Sequence, residues 1–362
     1  MSQPKASGLD IDQGNHCSAI AYGWAKRTFV NREGRMGAPL PGLDGSFSNV
    51  MAFGDVGIAM SSDGIGTKVE IAERVGRYDS LGFDLMAMTV DDLAANGIEP
   101  TCLSNILDVD VLDASIVDAL MRGLHDAAKV ARVAVVGGEI AELGSRIAGY
   151  GKRMHFNWCA TAIGVLPKGL SPITGRDLAP GHTVYSLRSR GFRSNGFSLV
   201  RRVMEAALGP EWHREGYDET RTWGDVLLTP CLIYSPFITR LREEGVTVSA
   251  VAHITGGGVE DNLVRMLKSA GVGAKLDNLH DPLPFMRRVQ ELGNVPEEQA
   301  YRLWNMGNGM LLTSPPQFAA QVQGTAADMG YDLRVAGIIT KDPVMEIHTR
   351  GLHPTVLVRT QG

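Results

Sequence analysis

The chain has 362 residues, 44% of them hydrophobic and 21% charged, so we expect a globular protein of roughly two domains and exclude a disordered one. Its net charge is −5, and this mild acidity without a basic run argues against nucleic acid or an anionic membrane as the main partner. The sequence shows no membrane-length apolar run and no secretory signal, and its four cysteines form no CxxC pair, so we expect a cytoplasmic protein with reduced thiols.

Strand and helix patterns alternate along the chain. Residues 1–50 are glycine-rich and irregular, and we expect residues 34–48 to be mobile. The elements predicted next are a strand at 50–61, a helix at 80–96, a strand at 101–109, a helix at 113–130 capped by Asp113, and strands at 131–136 and 157–165. After a Pro- and Gly-rich connector we predict a strand at 183–187, a helix from Phe197, and strands near 246–251, 310–313 and 334–339.

This alternation predicts an α/β (α+β) fold in two domains. The boundary falls in the connector at residues 167–181. The predicted parts are an N-terminal domain at 1–170 with a flexible arm at 1–50, a C-terminal domain at 171–350, and a tail at 351–362.

The segment SSDGIGTK, residues 61–68, places an acidic side chain at the end of a predicted strand. After Asp63, glycines 64 and 66 allow a ligand to approach the backbone closely, and Thr67 and Lys68 add a hydroxyl and a cation. The spacing differs from a Walker A sequence. A plain Asp-Gly turn leading into a helix is the alternative.

Adjacent carboxylates, Asp91 and Asp92, interrupt the apolar helix predicted at 80–96. Asp84 lies two turns before Asp91 and shares its face. Burial of such groups requires a partner or a cation, and solvation on the helix exterior is the alternative.

The triplet GGE, residues 137–139, follows a predicted strand, just as Asp63 does. Ligands gather at the carboxyl ends of strands in α/β sheets. Several oxygen ligands without Cys or His suit Mg²⁺, which shares its coordination shell with phosphates, so these groups indicate a Mg–nucleotide site.

Two loops in the second half of the chain are candidates for anion binding. RSRGFRSNGFSLVRR, residues 188–202, opens a helix beside several arginines, with an exposed basic loop as the alternative. HITGGGVEDNLVR, residues 253–265, puts three glycines before an amphipathic helix. His253, at the end of a strand, is a candidate to orient or polarise a substrate, with a structural histidine as the alternative.

In order and spacing, these segments resemble the aminoimidazole ribonucleotide synthetase family, the phosphoribosylformylglycinamidine cyclo-ligases. The motifs are SSDGIGTK (61–68), YDSLGFDLMAMTVDDLAANGIEP (78–100), VVGGE (135–139), SNGFSLVR (194–201), LLTPCLIY (227–234), AHITGGGVEDN (252–262) and WNMGNGMLL (304–312). The resemblance implies two α/β domains, a homodimer in which the N-terminal sheets build a shared barrel, and ATP in a cleft at the dimer interface.

The resemblance also implies a reaction in purine biosynthesis. ATP activates the formamide oxygen of formylglycinamidine ribonucleotide as a phosphoryl imidate, an internal nitrogen attacks that carbon, and an imidazole ring closes as phosphate leaves. An amide oxygen is a poor leaving group until it is phosphorylated, and phosphoryl transfer depends mainly on position and charge neutralisation.

Site residues follow from the matching motif positions. The implied Mg²⁺ ligands are Asp63, Asp92 and Glu139. The implied ATP-binding residues are Asp63, Gly64, Gly66, Thr67, Lys68, Asp92, Gly137, Gly138 and Glu139. The implied phosphate- and substrate-binding residues are Arg193, Ser194, Asn195, Gly196, Thr255, Gly256, Gly257 and Gly258. The implied catalytic residues are His253, Asn195 and Lys68.

The sequence departs from the family pattern mainly on the substrate side. Arg193 replaces the histidine that commonly precedes SNG, and Asp91 replaces the usual asparagine before Asp92. Ile140 replaces a hydroxyl residue, and YGKRMHFNW at 150–158 replaces an acidic segment. Two alternatives therefore stay open: a paralogue that uses Mg–ATP on a different amide or amidine, and a non-catalytic nucleotide-binding protein.

Overall fold

The structure is a computed structural model that describes residues 11–41 and 48–360. The described strands are β1 (Ala38–Pro39), β2 (Val50–Phe53), β3 (Val56–Gly64), β4 (Glu99–Val109), β5 (Ala134–Glu142), β6 (Phe156–Leu166), β7 (Thr183–Arg188), β8 (Ala250–His253), β9 (Gly273–Leu276), β10 (Asn308–Ser314), β11 (Leu333–Thr340), β12 (Val344–His348) and β13 (Val356–Thr360). The described α-helices are α1 (Ile11–Arg27), α2 (Val69–Val75), α3 (Leu81–Ala95), α4 (Ala114–Ala131), α5 (Phe197–Leu208), α6 (Trp223–Leu227), α7 (Ser235–Glu243), α8 (Gly258–Lys268), α9 (Pro284–Leu292), α10 (Glu297–Leu303) and α11 (Ala319–Asp328).

The N-terminal sheet has the strand order β1-β2-β3-β6-β4-β5. β6 runs antiparallel to β3 and β4, while β5 runs parallel to β4. Helix α3 lies on one face of this sheet, and α4 packs against α3 at Gly82 and Gly123, where any side chain would clash with the facing backbone. The opposite face carries exposed apolar side chains, including Met60, Ile106 and Val136.

The C-terminal sheet has the order β13-β12-β9-β11-β7-β10-β8. Among the described strand pairs of this sheet, β12 and β9 are parallel and the others are antiparallel. Helix α8 packs beside β8, and α11 packs against α7 and β11. None of the helices in the described part of the chain is both long and apolar enough to cross a membrane.

Helix α3 is the central element of the molecule. It contacts β3 and β6 of the first sheet and also α7 and β8 of the second half. All its residues except Phe83 and Asp92 are buried, which is typical of a helix enclosed on every side. The acidic residues of α3 are therefore placed between the two halves of the chain.

Most predicted elements are confirmed. The helices predicted at 80–96 and 113–130 are α3 and α4, and Asp113 caps α4 by accepting bonds from the backbone N–H groups of Ser115 and Ile116. The strand predicted at 50–61 is a hairpin instead, because Gly54 adopts a left-handed conformation (φ +64°) between β2 and β3. The fold is α/β, as predicted; the division near residue 170 stays a prediction.

Three predictions of local structure were wrong. The arm contains α1, whose last turn carries Lys26 and Arg27, charges that favour a helix C-terminus. The tail contributes β13, because its alternating side chains pair with β12. The GGE triplet lies inside β5, since pairing with β4 continues to Glu142. Residues 42–47 of the segment expected to be mobile lie outside the described residues.

Candidate functional site

Three loops meet beside the buried helix α3. They are residues 63–68 at the end of β3, residues 193–196 before α5, and residues 255–258 at the start of α8. A side-chain carbon built at Gly66 would lie 3.9 Å from the carbonyl oxygen of Ser194, and one built at Gly256 would lie 3.7 Å from the Asn195 Oδ1. Most of the predicted site residues lie on these loops, so the fold brings them together.

Asp63 and Asp92 form the acidic centre of this region. Burial raises the pKa of Asp63 to about 6; its bond from the N–H of Gly64 opposes this shift, and the nearby Asp92 carboxylate adds to it. Burial also raises the pKa of Asp92 to about 7, against the effect of the Ser61 hydroxyl, which donates to Asp92 Oδ2 at 3.3 Å. Two carboxylates that hold their protons this firmly are in a site where a divalent cation would stabilise their charged forms.

His253 lies beneath Asp92 and is fully buried. Its Nδ1 lies 2.7 Å from Asp92 Oδ1, and its Nε2 lies 2.7 Å from Arg193 Nη2. Burial, and then the charge of Arg193, lowers the pKa of His253 to about 3. Both ring nitrogens are therefore occupied by protein groups, and the structure leaves neither free to act directly on a substrate.

Arg193 is the cation that balances Asp91. The Arg193 Nη2 donates to Asp91 Oδ2 at 2.9 Å, and the side chains of the pair are 2% and 0% exposed. The other carboxylate oxygen of Asp91 accepts the backbone N–H groups of Tyr234 and Ser235, each at 2.8 Å. Because Arg193 is buried and both of its terminal nitrogens bond to protein groups, it does not reach the surface, contrary to its predicted contact with substrate.

Lys68 has a similar structural environment. Its ammonium group contacts both oxygens of Asp84 at 2.8 Å and donates to the carbonyl oxygen of Thr229 at 2.7 Å. The side chains of Lys68 and Asp84 are both 0% exposed. Because Lys68 is buried and hydrogen-bonded to Asp84 Oδ1 and to the Thr229 carbonyl oxygen, the structure does not place it where the predicted catalytic and ATP contacts require it.

Glu139 is separated from the other two predicted metal ligands within the chain. Cross-strand pairing places Asp63, Ala160, Asn105 and Gly138 in one row across four neighbouring strands. Gly138, next to Glu139, is therefore three strand spacings, or about 14 Å, from Asp63. Glu139 pairs with Ile106, which is 50% exposed on the uncovered face, whereas Asp63 shares the face covered by α3. The described residues contain no group of three or more potential metal ligands. A single copy of the chain therefore does not assemble the predicted trio.

The glycine loop at the start of α8 has a backbone conformation that requires glycine. Gly257 and Gly258 both have positive φ angles, and a side chain at Gly258 would lie 2.0 Å from the carbonyl oxygen of Tyr301. The N–H of Gly258 bonds to the Thr255 carbonyl oxygen, so that amide is used within the loop. Gly196 likewise begins α5 in a left-handed conformation, with Trp304 packed where a side chain would stand. Only glycine fits these positions.

The partners of the buried acids were not predicted from the sequence. Asp84 and Asp91 were predicted to share one helix face, either buried with a partner or solvated, and both are buried. The motif LLTPCLIY, residues 227–234, supplies the backbone groups that bind them, including the Cys231 N–H to Asp84 at 3.1 Å. The seven-residue spacing of Asp84 and Asp91 is the sequence signal that both side chains face the same neighbouring segment.

Comparison with known proteins identifies the class to which this fold and site belong. The chain belongs to the AIR synthase related proteins: the model of their N-terminal domain matches residues 47–166, and that of their C-terminal domain matches residues 179–350.

Similar curated proteins are phosphoribosylformylglycinamidine cyclo-ligases. The one from Thermococcus gammatolerans is 33% identical over 346 residues, which is 96% of this chain and 98% of that relative. The one from Methanothermobacter thermautotrophicus is 38% identical over 291 residues, 80% of this chain and 82% of the relative. Among solved structures, the HypE–HypF complex matches with a TM-score of 0.60 and 18% identity, covering 84% of this chain and 90% of that one. AaThiL complexed with AMPPCP and TMP matches with a TM-score of 0.59 and 15% identity, covering 93% and 96%.

Proposed function

We propose that this protein is a phosphoribosylformylglycinamidine cyclo-ligase, which closes formylglycinamidine ribonucleotide to aminoimidazole ribonucleotide with conversion of ATP to ADP and phosphate. One observation carries the proposal: the loops whose motifs resemble those of the cyclo-ligases lie together around Asp63 and Asp92, a region that we call the cleft. The near-complete coverage of relatives with this name supports it. The cytoplasm, where purine precursors are made, is the proposed location.

The carboxylates of the cleft fit a Mg²⁺ ion. Asp63 and Asp92 offer hard oxygen donors on the α3 side of the sheet, and burial makes their joint ionisation unfavourable without a cation. Bound Mg²⁺ would neutralise charge on the polyphosphate of ATP. Within the chain, Ser61 and His253 hold the two oxygens of Asp92 in place by hydrogen bonds.

The remaining loops are suited to bind phosphate groups and the second substrate. Gly66, Thr67 and Gly256 are exposed at the cleft, and Asn195 and Thr255 are half-buried beside them. These groups would position the formamide oxygen for phosphorylation and then hold the attacking nitrogen close to the activated carbon. Ring closure is intramolecular, so orientation and exclusion of water are the main tasks of the protein.

We further propose that the working form is a homodimer in which a second copy supplies Glu139. The uncovered face of the N-terminal sheet carries Glu139 together with exposed Met60, Ile106 and Val136. An apolar sheet face of this kind fits a second copy of itself, as in the shared barrel implied by the sequence resemblance.

The reaction is tested by incubating the purified protein with Mg–ATP and formylglycinamidine ribonucleotide. We expect ADP and phosphate only when this substrate is present, with aminoimidazole ribonucleotide formed in equal amount. The variant Asp63→Asn should lose most of this activity and most of the rise in melting temperature that Mg–ATP causes in the wild type. Normal binding of ATP without turnover of this substrate would instead support a paralogue.

The shared site is tested by co-expressing Asp63→Asn and Glu139→Gln chains. Each variant alone should be inactive. In an equal mixture half of the dimers are mixed, and each mixed dimer has one intact site of two, so about one quarter of wild-type activity should return. A mixture that forms mixed dimers but stays as inactive as its parents would contradict a site built from two copies.

A further inference from the structure

A chain of four side chains runs from the middle of α3 to the end of β8, and we call it the Arg193 network: Asp91, Arg193, His253 and Asp92. The same nitrogen of Arg193, Nη2, lies 2.9 Å from Asp91 Oδ2 and 2.7 Å from His253 Nε2. The opposite ring nitrogen of His253 lies 2.7 Å from Asp92 Oδ1. Of the four side chains only Asp92 is partly exposed, at 19%.

Hydrogen-bonding chemistry fixes where the proton of His253 lies. A guanidinium group only donates hydrogen bonds, so the His253 Nε2 beside Arg193 must accept one. A neutral imidazole carries one N–H, which is therefore on Nδ1 and donates to Asp92. The tautomer follows from the positions of Arg193 and Asp92 alone.

Arg193 is itself held firmly in place. Its backbone has a left-handed conformation with φ +60°, which is uncommon for a residue other than glycine. Its Nη1 donates to the Leu232 carbonyl oxygen at 3.1 Å, and its guanidinium carbon lies 5.0 Å from the centre of the Tyr234 ring. A planar fork that bonds an acid, a histidine and a carbonyl group at once is specific to arginine, so lysine would not replace it.

We propose that Arg193 is a positioning residue that fixes His253 with its proton on Nδ1, so that His253 in turn orients the Asp92 carboxylate toward the cleft. Asp92 then has one oxygen anchored by His253 and the other by Ser61. The inference rests on the proposed function, because Asp92 is one of the carboxylates proposed to hold Mg–ATP. It also accounts for two departures from the family pattern together, since Arg193 and Asp91 contact each other and balance each other's charge.

The tautomer can be measured directly on the unmodified protein. In a ¹⁵N-histidine sample, the signal of His253 is assigned by its loss in the variant His253→Gln. We expect a one-bond ¹⁵N–¹H coupling at Nδ1 and none at Nε2. A proton on Nε2, or a mixture of both tautomers, would overturn the proposal.

The effect on Asp92 is tested with the double variant Asp91→Asn/Arg193→Met. Replacing both partners avoids an unpaired buried charge, which either single substitution would leave. We expect a mixture of His253 tautomers and a Kd for Mg–ATP raised about 10- to 100-fold, the usual effect of losing a group that orients a metal ligand. The exposed pair Arg122 and Asp118, 3.2 Å apart on α4, provides the matched control Asp118→Asn/Arg122→Met, with unchanged Kd.

A folded double variant that keeps the wild-type Kd and a single His253 tautomer would refute the positioning role. These readouts need no second substrate. A failure to convert formylglycinamidine ribonucleotide would therefore count against the proposed reaction alone, while an unchanged Kd in the double variant would count against the role of Arg193 alone.

Discussion

The buried ion pair between Lys68 and Asp84 predicts a large loss of stability in the variant Lys68→Met. The substitution removes three short contacts of the ammonium group, two with Asp84 and one with the Thr229 carbonyl oxygen. Breaking a buried pair from one side costs about 3–5 kcal/mol, because the remaining charge has no partner. That is a large part of the roughly 5–15 kcal/mol that stabilises a typical protein.

The loss is measured by urea unfolding followed by the fluorescence of the buried Trp158, Trp212 and Trp304. The double variant Lys68→Met/Asp84→Asn should recover most of the stability, since no unpaired charge is left. Arg122→Met, which breaks an exposed pair, should change the free energy of unfolding by less than about 0.5 kcal/mol. If Lys68→Met kept wild-type stability but lost Mg–ATP binding, Lys68 would be the nucleotide contact implied by the sequence resemblance, and the structural assignment would be refuted.

Two further predictions concern the cleft. Asp63 and Asp92, with pKa values of about 6 and 7, hold protons that the unfolded chain releases near 3.8, so ligand-free stability should fall as pH rises from about 4 to 7. Mg–ATP binding should therefore release about one proton from these two carboxyl groups at pH 6.5, and the affinity for Mg–ATP should rise toward pH 8. Proton release is measured by calorimetry in two buffers of different ionisation enthalpy, and equal binding enthalpies in both would contradict this prediction. In urea unfolding, Gly258→Ala should lower the free energy of unfolding more than Gly271→Ala does. Both glycines have positive φ angles, but of the two only Gly258 faces a carbonyl oxygen, that of Tyr301. Equal losses in the two variants would contradict this prediction.

The sequence was most informative where short-range chemistry determines structure. Helix α4 was predicted with its cap because Asp113 precedes an amphipathic pattern, and the loops at 63–68, 193–196 and 255–258 were predicted as site loops from their glycines and polar groups. Such features depend on neighbours within a few residues.

The roles of the charged residues were harder to predict, because they depend on partners far along the chain. Lys68 and Arg193 carry charges typical of phosphate binding, yet each pairs with an aspartate of α3 that only the tertiary fold brings near. Glu139 was expected at a strand end, but β5 continues past it on the uncovered face of the sheet. No local pattern reports these placements, since they are set by helix burial and strand register.

The most direct test of the central claim follows the formyl oxygen of the substrate. Formylglycinamidine ribonucleotide labelled with ¹⁸O at this position is converted with Mg–ATP, and the released phosphate is analysed by mass spectrometry. If the oxygen is phosphorylated before ring closure, as proposed, each phosphate released carries one ¹⁸O atom. Phosphate without label, with the ¹⁸O recovered in water, would contradict the account.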